Sequence, residues 1–309
     1  MNRSENNTYH IPVLLNECLE GLNINPDGIY VDLTFGGGGH SRAILERLSD
    51  KGQLFAFDKD KDAIKNAIDD DRFFLINDDY SNMAKQLRLY RITQVDGILA
   101  DLGISSHQID DIERGFSFRG DAPLDLRMDT DRVFTAADVV NTYSEEELKK
   151  LFFAYAELPN AKQVASTICK KRNEQYIGTT NELCEAIKGL TKPNVSNKFF
   201  ARVFQALRIE VNHEIESLEQ MLNSVEGILK VGGRLVVISY ESLEDRRVKH
   251  LMRQGNIEGK VEKDFYGNIL SPYKEITRKP ITPSEEELKE NTRSRSAKLR
   301  IAEKKDKQD

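Results

Sequence analysis

The chain has 309 residues, 39% hydrophobic and 31% charged, with a net charge of −6 at neutral pH, so a well-wetted protein with one large α/β core or two smaller ones is expected, and two is the stronger expectation. The negative balance excludes a protein that coats nucleic acid indiscriminately, because neutralising phosphates takes a surplus of Lys and Arg; any RNA contact must come from a local patch. Apolar runs such as Val231–Ile238 are too short to cross a bilayer and Met1–Tyr9 carries no signal-peptide apolar run, so no membrane partner and a cytoplasmic location are expected. The three cysteines, Cys18, Cys169 and Cys184, lie far apart without histidines suitably spaced for zinc, and read as buried, unpaired thiols.

Pro12 opens a helix predicted over Val13–Leu22. Strands are predicted at Ile29–Leu33, Gln53–Asp58, Phe73–Asn77 and Val95–Leu102, with helices Ser41–Leu48, Lys61–Ile68 and Asn82–Leu89 between them. This alternation implies right-handed β-α-β crossovers and a mostly parallel sheet. After Leu102 no clear strand follows until Gly233–Ser239, while Glu145–Tyr155, Ala161–Asn173, Thr180–Leu190 and Lys198–Ile209 have helical periodicity. The chain therefore divides into an α/β domain, residues 1–112 and 212–309, and an all-helical insertion, 113–211. The α/β character returns with helix Ile215–Leu229, a turn at Gly232-Gly233, strand Arg234–Ser239 and helix Ser242–Arg253; the charged end from Glu303 reads as frayed. Two basic runs are candidate RNA contacts, with a merely solvated face as the equal alternative for each. One lies between Lys162 and Arg208, with Lys170, Lys171, Arg172, Lys188, Lys192, Lys198 and Arg202; the other holds Arg293, Arg295, Lys298 and Arg300.

The sharpest local feature is Tyr30-Val31-Asp32-Leu33-Thr34-Phe35-Gly36-Gly37-Gly38-Gly39-His40, a strand running through four glycines into a helix. Such a loop lets backbone approach a ligand closely, and in an open parallel sheet it belongs where the strand order reverses. A dinucleotide site would share that geometry, but Ser41 stands where its third glycine would be, and Asp32 would repel a pyrophosphate while suiting the ammonium or sulfonium of S-adenosylmethionine. Asp58, at the end of the second strand, fits the acid that accepts ribose hydroxyls, and Asp79-Tyr80 after the third could hold an adenine by hydrogen bond and stacking. Gly38 and Gly39 are thus candidate cofactor contacts with Asp58 and Tyr80, and His40 is a candidate that a capping role would equally explain.

From Thr34-Phe35-Gly36-Gly37-Gly38-Gly39-His40-Ser41 onward the chain resembles the ribosomal RNA small-subunit methyltransferase H family, also called MraW, over nearly its whole length. The likeness continues in Asp101-Leu102-Gly103-Ile104-Ser105-Ser106 with Gln108, in Glu113–Arg119, Pro123–Asp129, Arg202–Asn212, Ser242–Arg246 and Arg293–Arg300. It implies a class I S-adenosylmethionine-dependent methyltransferase fold, Rossmann-like with a mostly parallel sheet, carrying an inserted helical domain. It also implies methylation of the exocyclic N4 amine of cytidine 1402 in 16S rRNA of the small ribosomal subunit. The family's cofactor contacts map onto Gly38, Gly39, His40, Asp58, Tyr80, Asp101 and Gln108. Tyr80 replaces a common phenylalanine, and Tyr240-Glu241-Ser242 stands where the family usually reads Tyr-His-Ser. Oligomeric state is left open, a homodimer included.

Exocyclic-amine methylation needs acceptors that orient a poorly nucleophilic nitrogen. Asp101, at the end of the fourth strand, is the first catalytic candidate, with Ser105 and Ser106 in support; Asp101 binding only the cofactor's methionine and Ser105 only capping a turn are equal alternatives. Arg114, Phe116, Phe118, Arg119 and Arg127 mix aromatic and cationic side chains as a pocket for a flipped base would, a hydrophobic hinge being the alternative.

Overall fold

The computed structural model describes residues 12–306, so Met1–Tyr9 and the charged residues after 306 lie outside the described residues. Seven strands form one sheet in the order β3-β2-β1-β4-β5-β7-β6: β1 (Ile29–Asp32), β2 (Gln53–Phe57), β3 (Phe73–Ile76), β4 (Val95–Asp101), β5 (Leu229–Ser239), β6 (Tyr273–Glu275) and β7 (Lys298–Lys304). The first five run parallel, and β7 is antiparallel to both β5 and β6. This is the mostly parallel sheet that the alternation of strands and helices predicts, in the Rossmann-like order that the family resemblance implies. The helices are α1 (Leu15–Leu22), α2 (Gly39–Leu45), α3 (Met83–Leu89), α4 (Ser106–Asp110), α5 (Ala136–Thr142), α6 (Glu145–Ala156), α7 (Ala161–Glu174), α8 (Thr180–Ile187), α9 (Ser196–Asn212), α10 (Glu214–Ile228), α11 (Ser242–Gln254) and α12 (Glu285–Glu290). They belong to two compact units, one made of the residues through Gly103 together with those from Ser217 onward, the other of Ile104–Glu216.

In the sheet unit, alternate residues of each strand enter different cores. Val31, Ile98, Ala100, Leu235 and Val237 join one apolar cluster with α3, α10 and α11, and Tyr30, Leu99, Val236 and Ile238 join another with α1 and α2. Both faces are covered, which is why these strands read as continuous apolar runs. Gly97 of β4 is a glycine because the Tyr30 ring of β1 lies across it: a Cβ there would come within 2.8 Å of that ring. The Tyr30 hydroxyl is not orphaned by its burial, since it accepts the Asn25 backbone N–H at 2.7 Å. The Gly232-Gly233 turn predicted ahead of the fifth strand lies inside β5 instead, where Gly232 takes a φ of 77° and the register with β4 shifts between Val95 and Gly97.

Several elements differ from the sequence reading. Residues 61–66 form a 3-10 turn, capped by Asp60, rather than a helix to Ile68. The basic stretch 293–300 is not a tail: Lys298–Lys304 is a strand inside the sheet, and Glu303 pairs with Arg234 at 2.8 Å instead of fraying. Arg300 is 6% exposed, its guanidinium holding the Asp245 carboxylate of α11 at 2.6 and 3.2 Å. It serves the fold and is withdrawn from any RNA surface.

The helical unit has its own core, drawn from residues between Phe116 and Val211. Its helices start where capping boxes close, Thr135 with Asp138, Ser144 with Glu147 and Thr179 with Glu182. Asn212, at the end of α9, accepts from Met128 N–H and donates to the Leu126 carbonyl, tying the preceding irregular segment to the bundle. Arg172 does similar work, donating to the carbonyls of Val140 and Tyr143 at the end of α5.

The Arg300–Asp245 pair yields a stability prediction. Removing Arg300 leaves Asp245 with the longer contact to Lys298 at 3.7 Å, which partly compensates and sets the cost below the roughly 3–5 kcal/mol of a fully stranded buried charge. Arg300→Ala should lower the denaturant midpoint of the sheet unit accordingly, and an unchanged midpoint would show the pair to be dispensable.

Candidate active site

The strand order reverses between β1 and β4, because the chain proceeds outward from β1 through β2 to β3 and then returns to the other side of β1. The carboxyl ends of β1, β2, β4 and β5 meet at this switch, and the glycine loop sits there as its sequence predicts. Backbone bonds anchor the loop: Leu33 N–H to Leu99 carbonyl at 2.8 Å and Phe35 N–H to Phe57 carbonyl at 2.9 Å.

The four glycines divide by cause. A Cβ at Gly36 or Gly37 would meet nothing within 4 Å, so here the backbone faces open space as a ligand cradle requires. Gly38 has a φ of 76° and its Cβ position lies 2.8 Å from the Phe35 ring, while a Cβ on Gly39 would strike Pro12 at 2.3 Å. Those two are glycines because their own chain fills the space, and any ligand would meet them through backbone. Asn66, at the end of the 3-10 turn, donates to the Gly36 carbonyl at 3.0 Å, a support with no sequence signal.

A polar string runs across three strand ends. The Ser41 hydroxyl donates to Asp32 at 2.7 Å, and Thr34 N–H donates to the same carboxylate at 3.1 Å. The Thr34 hydroxyl oxygen accepts Asp101 N–H at 2.7 Å, and the Tyr240 hydroxyl donates to the Asp101 carboxylate at 2.9 Å. Asp32 is 1% exposed, so it braces the loop rather than presenting an open face to a cation. Burial pushes its carboxyl above the usual value, and neighbouring His40 pulls it back. His40 is itself buried, with Nε2 3.1 Å from the Val13 carbonyl oxygen. Asp101 stays partly exposed. Burial and the Asp101 charge drive the Tyr240 hydroxyl far above its ordinary value, so it remains a proton donor to Asp101. Tyr240 was not singled out from the sequence as a site residue; the signal was its place at the end of the strand paired to β4, where Ile238 is in register with Asp101.

Asp79 and Tyr80 follow β3 as expected, but the Asp79 carboxylate is engaged. It accepts Ser81 N–H at 2.9 Å and pairs with Lys59 at 3.2 Å, and although burial acts to raise its carboxyl, Lys59 and Ser81 bring it below the ordinary range. The Lys59 ammonium also lies 6.0 Å from the centroid of the Tyr80 ring. The Asp79 carboxylate is therefore committed to partners within the protein.

Within the helical unit, Ser105 caps α4: its hydroxyl accepts Gln108 N–H while the Gln108 side chain accepts Ser105 N–H, with Ser106 the first residue of the helix. Arg114 is buried and donates to the carbonyls of Arg127 and Met128, both at 2.9 Å. Arg127 forks onto Asp125 at 2.7 and 2.6 Å. Phe116 lies in the core, Phe118 packs on Phe200 and Phe204, and Arg119 is exposed. Glu241, where the resemblance leads one to expect histidine, belongs to the sheet unit and forms a capping box with Glu244 at the start of α11. Among the described residues no group of His, Cys, Asp and Glu is placed to hold a metal ion, and no helix is long and apolar enough to cross a membrane.

The model of the MraW methylase family matches residues 7–305. Ribosomal RNA small subunit methyltransferase H of Bacteroides thetaiotaomicron is 55% identical over 298 residues, 96% of this chain and 98% of its own. The proteins of the same name from Bacteroides fragilis strain YCH46 and from Flavobacterium johnsoniae are each 54% identical, the first covering 98% of this chain and 100% of its own, the second 96% and 98%.

Asp58 is a carboxylate whose surroundings bring its titration close to neutrality. Burial lifts it to about 6, against the opposing N–H bonds from Asp60 and Gly36, both 2.8 Å. It is thus anionic above about pH 6 and neutral below. A ligand whose hydroxyls donate to it binds the anion, so affinity should be full above that pH and fall by up to about tenfold per unit beneath it. Carboxyl NMR should place the midpoint near 6, and calorimetry across the same range should lose its pH dependence in Asp58→Ala.

Proposed function

The chain belongs to the MraW methylase family, and from that premise we propose that it methylates the exocyclic N4 amine of cytidine 1402 in 16S rRNA of the small ribosomal subunit, in the cytoplasm. It is a methyltransferase of small-subunit rRNA, and its methyl donor is S-adenosylmethionine. The observation that carries the finer reading is Asp101, a partly exposed carboxylate held at the end of β4 by Thr34 and Tyr240.

The residues present fit the donor. The open faces of Gly36 and Gly37 admit close backbone approach, and Asp58, fixed by two N–H groups, offers the outer lone pairs of its oxygens to ribose hydroxyls. Tyr80 supplies a flat ring for the base. Gly38, Gly39, His40, Asp101 and Gln108 complete the proposed contacts, His40 by fixing the loop rather than by reaching out. When bound, the donor supplies a sulfonium-activated methyl carbon in line for displacement.

The work of the protein is to present the amine. Cytosine N4 is weakly nucleophilic because its lone pair is delocalised into the ring. A carboxylate accepting one amine hydrogen favours a more tetrahedral nitrogen and offsets the positive charge that grows as the new bond forms. Asp101 takes that role, and Tyr240 fixes which oxygen faces outward. Ser105 and Ser106, at the start of α4, are proposed to support the base. In the helical insertion, Arg119 and Phe118 are proposed to meet RNA directly, while Arg114, Phe116 and Arg127 shape the segment that carries them.

Two variants test this reading. Asp101→Asn keeps size and most hydrogen bonding but removes the charge, so turnover on unmethylated small subunits should fall roughly 100-fold or more with cofactor affinity nearly unchanged. Equal losses in both would assign Asp101 to cofactor binding, and normal turnover would end its catalytic role. On α7, Lys170 and Lys171 are exposed, whereas Arg172 is spent on carbonyls. Reversing both lysines to Glu should weaken subunit binding and flatten its salt dependence without touching cofactor affinity; unaltered subunit affinity would mark them as a solvated face.

A further inference from the structure

Between α11 and β6 the chain makes a short hairpin that none of the preceding roles uses. Lys263 bridges Ile269 in antiparallel fashion, Leu270 N–H donates to the Glu262 carbonyl, and Asp264 N–H donates to the Asn268 carbonyl. Asp264 closes the tip, accepting Asn268 backbone N–H at 2.8 Å and its side-chain amide at 2.9 Å, and Gly267 turns the corner with a φ of 89°. The braced tip carries Phe265 and Tyr266, 98% and 86% exposed; Phe265 is the most exposed large apolar side chain among the described residues. Their rings stand edge to face, centroids 5.7 Å apart at 87°.

Full exposure of two rings on a pre-ordered turn costs hydration free energy that folding does not recover. The arrangement is also a poor protein-docking plate, because a stable interface takes about 800 Å² of level, complementary surface per partner and these rings are mutually perpendicular. It suits planar ligands taken one at a time. Lys263 is exposed and has no ion-pair partner among the described residues, and strand alternation sets it on the face opposite exposed Glu262; both oxygens of Asp264 are engaged by Asn268. Exposed rings with a cation two residues away in the same hairpin are the combination that holds unpaired nucleotides, base on ring and phosphate on ammonium.

We propose that the Phe265–Tyr266 hairpin is a second RNA contact, stacking on an unpaired base of the substrate RNA away from the reaction centre, with Lys263 on the adjacent phosphate. The inference rests on the chain acting on RNA, and its test separates the two. The sequence contains no tryptophan, so Phe265→Trp places a single indole reporter at the tip while keeping a stacking surface. Titration with single-stranded oligouridylate should quench its emission, and a blunt RNA duplex of equal charge should not. In Phe265→Ala/Tyr266→Ala, kcat/KM for unmethylated small subunits should fall roughly tenfold with cofactor affinity unchanged, and Lys263→Glu should reduce the salt slope of oligonucleotide binding by about 0.7. Absent quenching, or an unaltered kcat/KM in the double variant, overturns the hairpin contact even though the wild type methylates subunits. An emission change with a ribosomal protein or a second copy of the chain, and none with RNA, overturns it in favour of a protein surface. A wild type that fails to methylate subunits, with the Phe265→Trp reporter still quenched by RNA, removes the proposed reaction and leaves the hairpin contact standing.

Discussion

One constraint organises the reactive edge of the sheet: Thr34 must serve two masters. Its N–H is held by buried Asp32 and its hydroxyl receives Asp101 N–H, so the loop leaving β1 and the end of β4 are set against each other by a single side chain. Ser41 secures the outer end of the string and Tyr240 the inner one, which extends it to the end of β5. A side chain without a hydroxyl at 34 would leave Asp101 N–H unmatched beside a ligand site, at a cost comparable to a lost buried hydrogen bond. The donor cradle and the candidate acceptor of the amine thus share one set of hydrogen bonds and cannot drift apart independently.

This economy explains the unequal treatment of the carboxylates. Asp32 is buried and accepts from Ser41 and Thr34; Asp79 is held by Lys59 and Ser81; Asp58 accepts the N–H groups of Gly36 and Asp60; Asp101 is partly exposed and accepts from the Tyr240 hydroxyl. Four acids at neighbouring strand ends thus all bond within the protein, and the ligand-facing role is proposed for Asp58 and Asp101 alone. Their environments, more than their residue type, make that division.

How much of this was legible in the sequence follows the same line. The glycine loop, its place at the strand switch and the parallel sheet were readable because positive φ, close approach and strand-helix alternation leave marks at fixed spacing. Strand β7 was not, because its burial depends on Asp245, fifty-five residues away, neutralising Arg300; without that partner a run containing Lys298, Arg300 and Lys304 reads as solvated. Arg114 and Arg127 are the mirror case: beside Phe116 and Phe118 they read as RNA contacts, and nothing local in the sequence signals that their guanidinium groups bond to carbonyls and Asp125. Local spacing reports backbone needs well and reports poorly which long-range partner a charged side chain will find.

The position of β7 has a consequence for the order of assembly during synthesis. The strand lies between β5 and β6 and pairs with both. Until residues 298–304 have left the ribosome, β5 presents an unpaired edge and β6, three residues long, has nothing to join. The core of the helical unit draws only on residues from 116 to 211, all translated by then. Vectorial folding would therefore finish the insertion first and the unit that surrounds it last, leaving the nascent sheet edge as the species in need of chaperone cover.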